Sequence, residues 1–129
     1  MGKKIIKTDK APLPVGAYNQ GVVANGLIFT AGQIAIDPST GKLIEGSFKD
    51  RVNQVFDNLE NILQAAESDM TNVVKFTVFL TNLKNYVDVN EVFNSRLDEA
   101  ISPARSLVEV SALPVGTDVE IECVAIVNE

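Results

Sequence analysis

The spacing of apolar residues changes repeatedly along this chain, and the order of those changes limits its fold more than any other feature. Two-residue alternation, which is typical of strands, and three-to-four-residue spacing, which is typical of helices, follow one another. The predicted strands lie at residues 21–24, 27–36, 73–81, 105–111 and 119–127, with helical spacing between them at 48–67 and 86–97. This β-β-α-β-α-β-β order predicts one domain, residues 1–129, with a sheet and two helices.

Local signals support several of these elements. Asn25-Gly26 suits the tight turn of a hairpin between the first two strands. Ser47 and Asp50 have the spacing of a helix start, which predicts a helix from about Phe48 to Glu67. Its apolar stripe consists of Val52, Val55, Phe56, Leu59, Ile62, Leu63 and Ala66. The second helix has the same spacing at Tyr86, Val89, Phe93 and Leu97.

The final strand is apolar on both of its faces. One face carries Val119, Ile121, Cys123, Ala125 and Val127, yet Val124 and Ile126 on the other face are apolar as well. Right-handed crossovers that progress in one direction place both helices on one face of the sheet, which leaves the opposite face bare. Because a sheet that is apolar on both faces needs a second cover, we expect the chain to associate with copies of itself.

Charge and composition narrow the possible partners. The net charge is −6, which repels phosphate backbones, and the basic cluster of Lys3, Lys4 and Lys7 is expected to be a solvated end. No nucleic-acid partner is therefore expected. Cys123 is the single cysteine and no segment has the length of a signal peptide or membrane span. We expect a cytoplasmic protein without a membrane partner.

Histidine is absent from the chain. Its absence excludes nucleophile systems that depend on histidine and almost all zinc sites. Any chemistry must therefore use carboxylates, arginine, tyrosine, hydroxyls, backbone groups and water.

Arg105 and Glu120 are the strongest candidates for such chemistry. Arg105 could hold a ligand carboxylate through two parallel hydrogen bonds, or it could pair with a nearby acidic side chain, and spacing alone favours the second role. Glu120 and Glu122 lie on one face of the last strand, roughly 7 Å apart by strand rise. They could orient or deprotonate a water, or they could form a solvated strand face.

Weaker candidates have ordinary structural explanations. Tyr18 could be an aromatic lid or a packing residue, and Gly32 could admit a ligand to the backbone or mark a bend. Asn90 could simply face solvent on the second helix. Cys123 alternates with apolar residues, which favours a buried hydrophobe over a nucleophile.

Taken together, these segments resemble the reactive intermediate deaminase family, also called RidA or YjgF. The most specific segments are 103–110 (PARSLVEV), 113–114 (LP) and 119–122 (VEIE). Supporting segments are 16–21 (GAYNQG), 30–34 (TAGQI) and 74–80 (VKFTVFL). The resemblance covers about residues 9–127.

The resemblance implies an α+β fold like that of the small trimeric chorismate mutases, with a mixed sheet backed by two helices, a homotrimer and sites between subunits. It places Arg105 on the ligand carboxylate and Glu120 beside the attacking water. Gly32 and Leu107 would line the pocket with backbone groups, and Tyr18 and Asn90 would lie near its mouth or wall.

Members of the family hydrolyse enamines and imines such as 2-aminoacrylate and 2-iminobutyrate to 2-keto acids and ammonia, without a cofactor. Two alternatives remain. One is a non-catalytic module that binds a 2-keto acid in the same cleft. The other is the RNA cleavage or translation inhibition attached to some members, against which the net charge argues. Leu107 stands where many members have Cys, and Ala31 replaces a frequent Ser beside the pocket, and we expect these two differences to affect substrate preference and rate.

Overall fold

The structure, a computed structural model, describes residues 2–128. Its main elements are β1 (Lys4–Ile6), β2 (Gly21–Ala24), β3 (Leu27–Thr30), β4 (Ile36–Asp37), β5 (Lys42–Leu43), α1 (Phe48–Ala65), β6 (Val73–Leu80), α2 (Tyr86–Arg96), β7 (Ala104–Glu109) and β8 (Val119–Ile126). Six strands form a mixed sheet in the order β1-β2-β3-β8-β6-β7, in which β6 and β7 run parallel and the other neighbours antiparallel. The predicted mixed sheet with two helices is confirmed.

Both helices cover the same face of this sheet. Phe56 of α1 and Phe93 of α2 lie 5.6 and 5.1 Å from the ring of Phe76 of β6, and 4.9 Å from each other, with tilted or edge-to-face geometry. The predicted stripe of α1 is buried, and the capping box of Ser47 and Asp50 is formed. The core therefore lies between one face of the sheet and the two helices.

The opposite face of the sheet is uncovered in the single chain, as the alternation of β8 predicted. Register places Ile5, Val22, Phe29 and Val124 side by side across four strands of this face. Phe29 is 44% exposed and Ile5 is 41% exposed. We call these four residues the apolar row, and an exposed apolar surface of this kind is typical of an interaction site.

The prediction that the second strand continues through Ile36 is wrong. β3 ends at Thr30, and the following segment makes one isolated bridge, between Gln33 and Ile121. The buried side-chain amide of Asn58 in α1 then donates to the carbonyls of Ile34 and Ile36. These bonds draw the segment onto the helix, where β4 pairs with β5 in a separate two-stranded ribbon.

Two further details differ from the sequence-based expectation. Strict two-residue alternation with Phe76, Val78 and Leu80 would bury Val74 and expose Val73, but Val73 is buried and Val74 is 41% exposed. A bulge between Val73 and Lys75 shifts the register and causes this exchange. At the N-terminus, Lys3, Lys4 and Lys7 are exposed as expected, although β1 in this segment was not predicted.

The remaining differences are small. The predicted ends of α1, β6, β7 and β8 differ from the observed ends by no more than two residues, which is the usual uncertainty of such boundaries. On α2, Val89 and Phe93 are buried as predicted, whereas Tyr86 is 49% exposed at the first turn. Within residues 2–128, neither helix is both long and apolar enough to cross a membrane.

Gly21 is expected to be essential for the packing of β2 because a Cβ there would meet the core. That atom would stand 2.7 Å from Cδ1 of Ile28 and 3.1 Å from Cγ2 of Ile62, both fully buried. The Gly21→Ala variant should lower the free energy of unfolding by about 1–3 kcal/mol in urea denaturation, since overpacking a core forces neighbours to shift. A Gly2→Ala control, whose Cβ meets nothing within 4 Å, should leave it unchanged. Equal stability of both variants would contradict this account.

Candidate active site

Arg105 projects from β7 toward the helices. It pairs in register with the core residue Phe76, and its guanidinium carbon lies 4.9 Å from the centre of the Phe93 ring. Together with Asn90 and Pro103 it lines a small cavity of about 150 Å³, which we call the Arg105 cavity. Partial burial lowers the pKa of the Arg105 guanidinium, which nevertheless stays charged.

No carboxylate of residues 2–128 lies within 4.0 Å of the Arg105 guanidinium. The structural ion pair that spacing alone favoured is therefore not formed within this part of the chain. Arg51 and Arg96, in contrast, each bind a neighbouring carboxylate at 2.7 Å. The fork of Arg105 is thus available for a carboxylate that the described chain does not supply.

Glu120 projects from β8 toward the uncovered face. It lines a cleft of about 290 Å³ together with Tyr18, Gly32 and the apolar side chains of Leu13 and Val115, and we call this the Glu120 cleft. Burial in the cleft raises the pKa of the Glu120 carboxyl, and the negative charge of Glu122, two residues along the same strand face, raises it further. A carboxylate with a raised pKa is a stronger base than a solvated one.

Arg105 and Glu120 lie on opposite faces of the sheet in the single chain. β7 and β8 flank β6 on either side, where Arg105 pairs with Phe76 and Glu120 pairs with Phe79. Phe76 points into the core, and Phe79, three residues later, points to the uncovered face. The Arg105 cavity and the Glu120 cleft have no lining residue in common. The two candidate residues therefore lie in two separate depressions of one chain.

Of the five other predicted site residues, three line one of these two depressions and two line neither. Tyr18 and Gly32 lie in the Glu120 cleft, and Asn90 lies in the Arg105 cavity. Leu107 is partly buried against the core on the same face of β7 as Arg105, but it does not line the cavity. Ala31 lies outside both, where its N–H donates to the carbonyl of Gln20 at 2.8 Å.

Two buried amides that the sequence reasoning missed hold the walls of the Glu120 cleft. Gln20 is 1% exposed, and its side chain donates to three carbonyls and accepts one N–H, all in residues 8–12. Asn58 is fully buried and holds the opposite segment through Ile34 and Ile36. A signal for Asn58 was present, because it interrupts the apolar stripe of α1 between Val55 and Ile62.

Val115 and Cys123 have distinct local environments. Val115 lies at the rim of the Glu120 cleft and is 72% exposed. Its backbone is left-handed (φ 50°), which is unfavourable for a β-branched residue. Cys123 is 3% exposed, and burial raises the pKa of its thiol to about 12. It therefore behaves as a buried hydrophobe, as expected.

Among residues 2–128, no group of three or more His, Cys, Asp or Glu could hold a metal ion.

Replacing Glu120 by Gln is expected to raise the free energy of unfolding at neutral pH. Folding raises the pKa of the Glu120 carboxyl, so the wild-type protein loses stability as the pH rises from the unfolded to the folded pKa. The variant lacks this loss, so the difference should be absent in acid and greatest above the folded pKa. Urea denaturation as a function of pH measures it, with the exposed Glu45→Gln as control. A wild type that is as stable as E120Q at neutral pH would contradict the assigned burial.

The chain is similar over nearly its whole length to known proteins. A family model described as "Endoribonuclease L-PSP" matches residues 8–127. A "RutC family protein" of Synechocystis is 50% identical over 127 residues, which is 98% of each chain. The rat protein named "2-iminobutanoate/2-iminopropanoate deaminase" is 42% identical over 124 residues, which covers 96% of this chain and 90% of the rat protein.

The fold also matches that of solved structures. The structure of E. coli TdcF with bound serine superposes with a TM-score of 0.91 and 37% identity, over 97% of this chain and 99% of TdcF. These matches agree with the motifs at 103–110 and 119–122 and with the mixed sheet and two helices. The chain therefore belongs to the reactive intermediate deaminase family, RidA or YjgF.

Proposed function

We propose that this protein is a hydrolytic deaminase that converts small 2-imino acids, and the enamines that tautomerise to them, into 2-keto acids and ammonia. The observation that carries the proposal is the Glu120 carboxylate, which is partly buried in a cleft and has a raised pKa without a cationic partner within residues 2–128. The rat and human proteins that are named for this activity are 42% and 41% identical to this chain.

Arg105 is the anchor for the substrate carboxylate. Its planar guanidinium has no carboxylate partner in the described chain and is supported on the Phe93 ring, so its orientation is restricted before a ligand arrives. A bidentate pair with a carboxylate then fixes the position of the adjacent imine carbon. The amino acid bound in the similar TdcF structure, serine, also carries a carboxylate beside a nitrogen-bearing carbon.

Glu120 is the base that activates the water. As the water oxygen bonds to the imine carbon, the Glu120 carboxylate accepts one proton from the water and passes it to the imine nitrogen, which gives the neutral carbinolamine. Glu120 then takes the proton of the carbinolamine hydroxyl and delivers it to the nitrogen, so that the carbon–nitrogen bond breaks, ammonia leaves, the carbonyl of the 2-keto acid forms and the Glu120 carboxylate is restored. Because such imines also hydrolyse unaided, positioning and one base are sufficient and no cofactor is required.

The other predicted residues shape the pocket. In the proposed site, backbone groups of Gly32 and Leu107 contact the ligand, and Tyr18 and Asn90 form its wall and mouth. Ala31, which supplies no hydroxyl, limits polar contacts beside Gly32. These assignments suit a ligand with one carboxylate and a short side chain.

The complete site forms between two copies of the chain in a homotrimer. Arg105 and Glu120 are on opposite faces of one sheet, so a ligand that contacts both must lie between chains. Burial of the apolar row of Ile5, Val22, Phe29 and Val124 would favour association through the uncovered face. A cyclic assembly that covers this face in every copy would present the Glu120 cleft of one copy to the Arg105 cavity of the next.

The alternative is a non-catalytic protein that binds a 2-keto acid between the same residues. Arg105 would have the same anchoring role in that protein. Glu120 would have no catalytic role in that protein. Imine turnover that is lost on removal of the Glu120 carboxylate while ligand binding persists therefore distinguishes the two functions.

Arg105→Ala is expected to abolish the acceleration of imine loss when the protein is added to a threonine or serine dehydratase reaction. Loss of a charged hydrogen-bond partner that the bound ligand buries corresponds to about 2–5 kcal/mol, hence a loss of kcat/KM of roughly 30-fold to 4,000-fold. Arg105→Lys should recover little, because an ammonium cannot form the fork.

Glu120→Gln should lower kcat by about 100-fold, the lower end of what a general base contributes. Its carboxamide matches the carboxylate in size, and binding of a 2-keto acid, followed by calorimetry, should persist. The exposed Lys42→Ala is the matched surface control. A wild-type protein that does not exceed free hydrolysis would overturn the proposed activity and favour the non-catalytic alternative, whereas full deaminase activity of E120Q would overturn the assignment of Glu120 as the base.

Mixing two inactive variants tests the placement of the site between copies. When Arg105→Ala and Glu120→Ala chains are unfolded, mixed equally and refolded together, roughly a quarter of the sites should combine an intact Arg105 with an intact Glu120. Activity should therefore return in the mixture and in neither variant refolded alone. A mixture that forms trimers by light scattering yet stays inactive would place both residues in one chain's site.

A further inference from the structure

Gly32 lacks a conformational reason to be glycine. Gly26 and Gly41 have φ values of 76° and 74°, in the left-handed region that favours glycine, whereas Gly32 lies outside that region. Its backbone conformation is therefore open to any residue. The reason for glycine at this position therefore lies in the space around its Cα.

That space is occupied by the side chain of Glu120. A Cβ on Gly32 would stand 2.5 Å from Oε2, 2.8 Å from Cδ and 3.0 Å from Cγ of Glu120, and these are the three nearest atoms. All three distances are shorter than the approach that real Cβ atoms tolerate comfortably. Gly21 differs, because its nearest atoms belong to the buried side chains of Ile28 and Ile62.

The backbone of Gly32 is also held in place on both sides. Ala31 donates its N–H to the carbonyl of Gln20 at 2.8 Å. Gln33 and Ile121 exchange two backbone hydrogen bonds, of 2.8 and 3.0 Å, directly beside Glu120 on β8. Because the main chain is fixed at both neighbours, any atom added to Gly32 must displace the Glu120 side chain.

We propose that Gly32 is a positioning residue for Glu120, because the missing Cβ is the space in which the Glu120 carboxylate rests. The contact holds the carboxylate against the backbone at the edge of the cleft instead of letting it extend into solvent. Where the carboxylate rests follows from the geometry alone, and its importance for turnover rests on the proposed deaminase function. This role is separate from any contact between the backbone of Gly32 and a ligand.

Gly32→Ala should therefore affect activity far more than stability. A flexible, partly exposed carboxylate can move, so the urea midpoint should stay close to that of the wild type, in contrast to Gly21→Ala. The kcat for imine hydrolysis should fall on the order of 100-fold, since a displacement of about 1 Å in a reacting group has that effect. An unchanged kcat would overturn the proposal.

A double variant identifies Glu120 as the group through which Gly32 acts. The E120A side chain ends at its Cβ and lacks the Cγ, Cδ and Oε2 atoms that a Cβ on Gly32 would meet, so adding Gly32→Ala to E120A should lower the residual kcat much less than adding it to the wild type. A purely structural effect of Gly32→Ala would be equally large in both backgrounds. If Gly32→Ala destabilises the fold, the G32A/E120A pair should regain the stability of E120A, and failure to do so would contradict the contact.

A direct titration separates this proposal from the proposed function. The pKa of the Glu120 carboxyl, followed by NMR of carbon-13-labelled glutamate, should fall in Gly32→Ala because the carboxylate moves toward solvent. The titratable groups that face it, Glu122 on the same strand and Tyr18 across the cleft, are unchanged. A wild type without deaminase activity would overturn the function and leave this shift as the test, whereas an unchanged pKa would overturn the positioning role.

Discussion

The two-residue alternation along β8 is the constraint on which the rest of this structure depends. β8 lies inside the sheet between β3 and β6, so the side chains on each of its two faces must suit the surroundings of that face of the sheet. Ile121 and Cys123 complete the core on one face, and Glu120 and Glu122 occupy the other. The same pleat that builds the core therefore places the Glu120 carboxylate and Arg105 on opposite faces of the sheet.

The sequence predicted those elements whose cause is local. α1 was identified because its stripe and its capping box lie within one segment, and β8 because its alternation is regular. The β4–β5 ribbon and the bulge at Val74 were missed because they depend on partners distant in sequence, namely the amide of Asn58 and the register between β6 and β8. β1 was missed because three residues beside a lysine cluster resemble a solvated end.

For the site, the sequence identified candidate residues better than their arrangement. Spacing left Arg105 ambiguous, and the motif around it suggested the anchoring role. Whether Arg105 and Glu120 share a face depends on the strand order and on two separate registers against β6, none of which can be read from the sequence. The relation between Gly32 and Glu120 was equally hidden, because it is a contact across a strand junction and has no signature of its own.

The proposed site between copies, with Arg105 and Glu120 on opposite faces of each chain, would couple ligand binding to assembly. In the proposed arrangement, a ligand that contacts Arg105 of one copy and Glu120 of the next binds only the assembled protein. By mass action, such a ligand shifts the association equilibrium toward the oligomer, and dilution weakens apparent ligand affinity. The ligand would thus stabilise the contact between chains. The concentration of active sites would then depend on the concentrations of both protein and substrate.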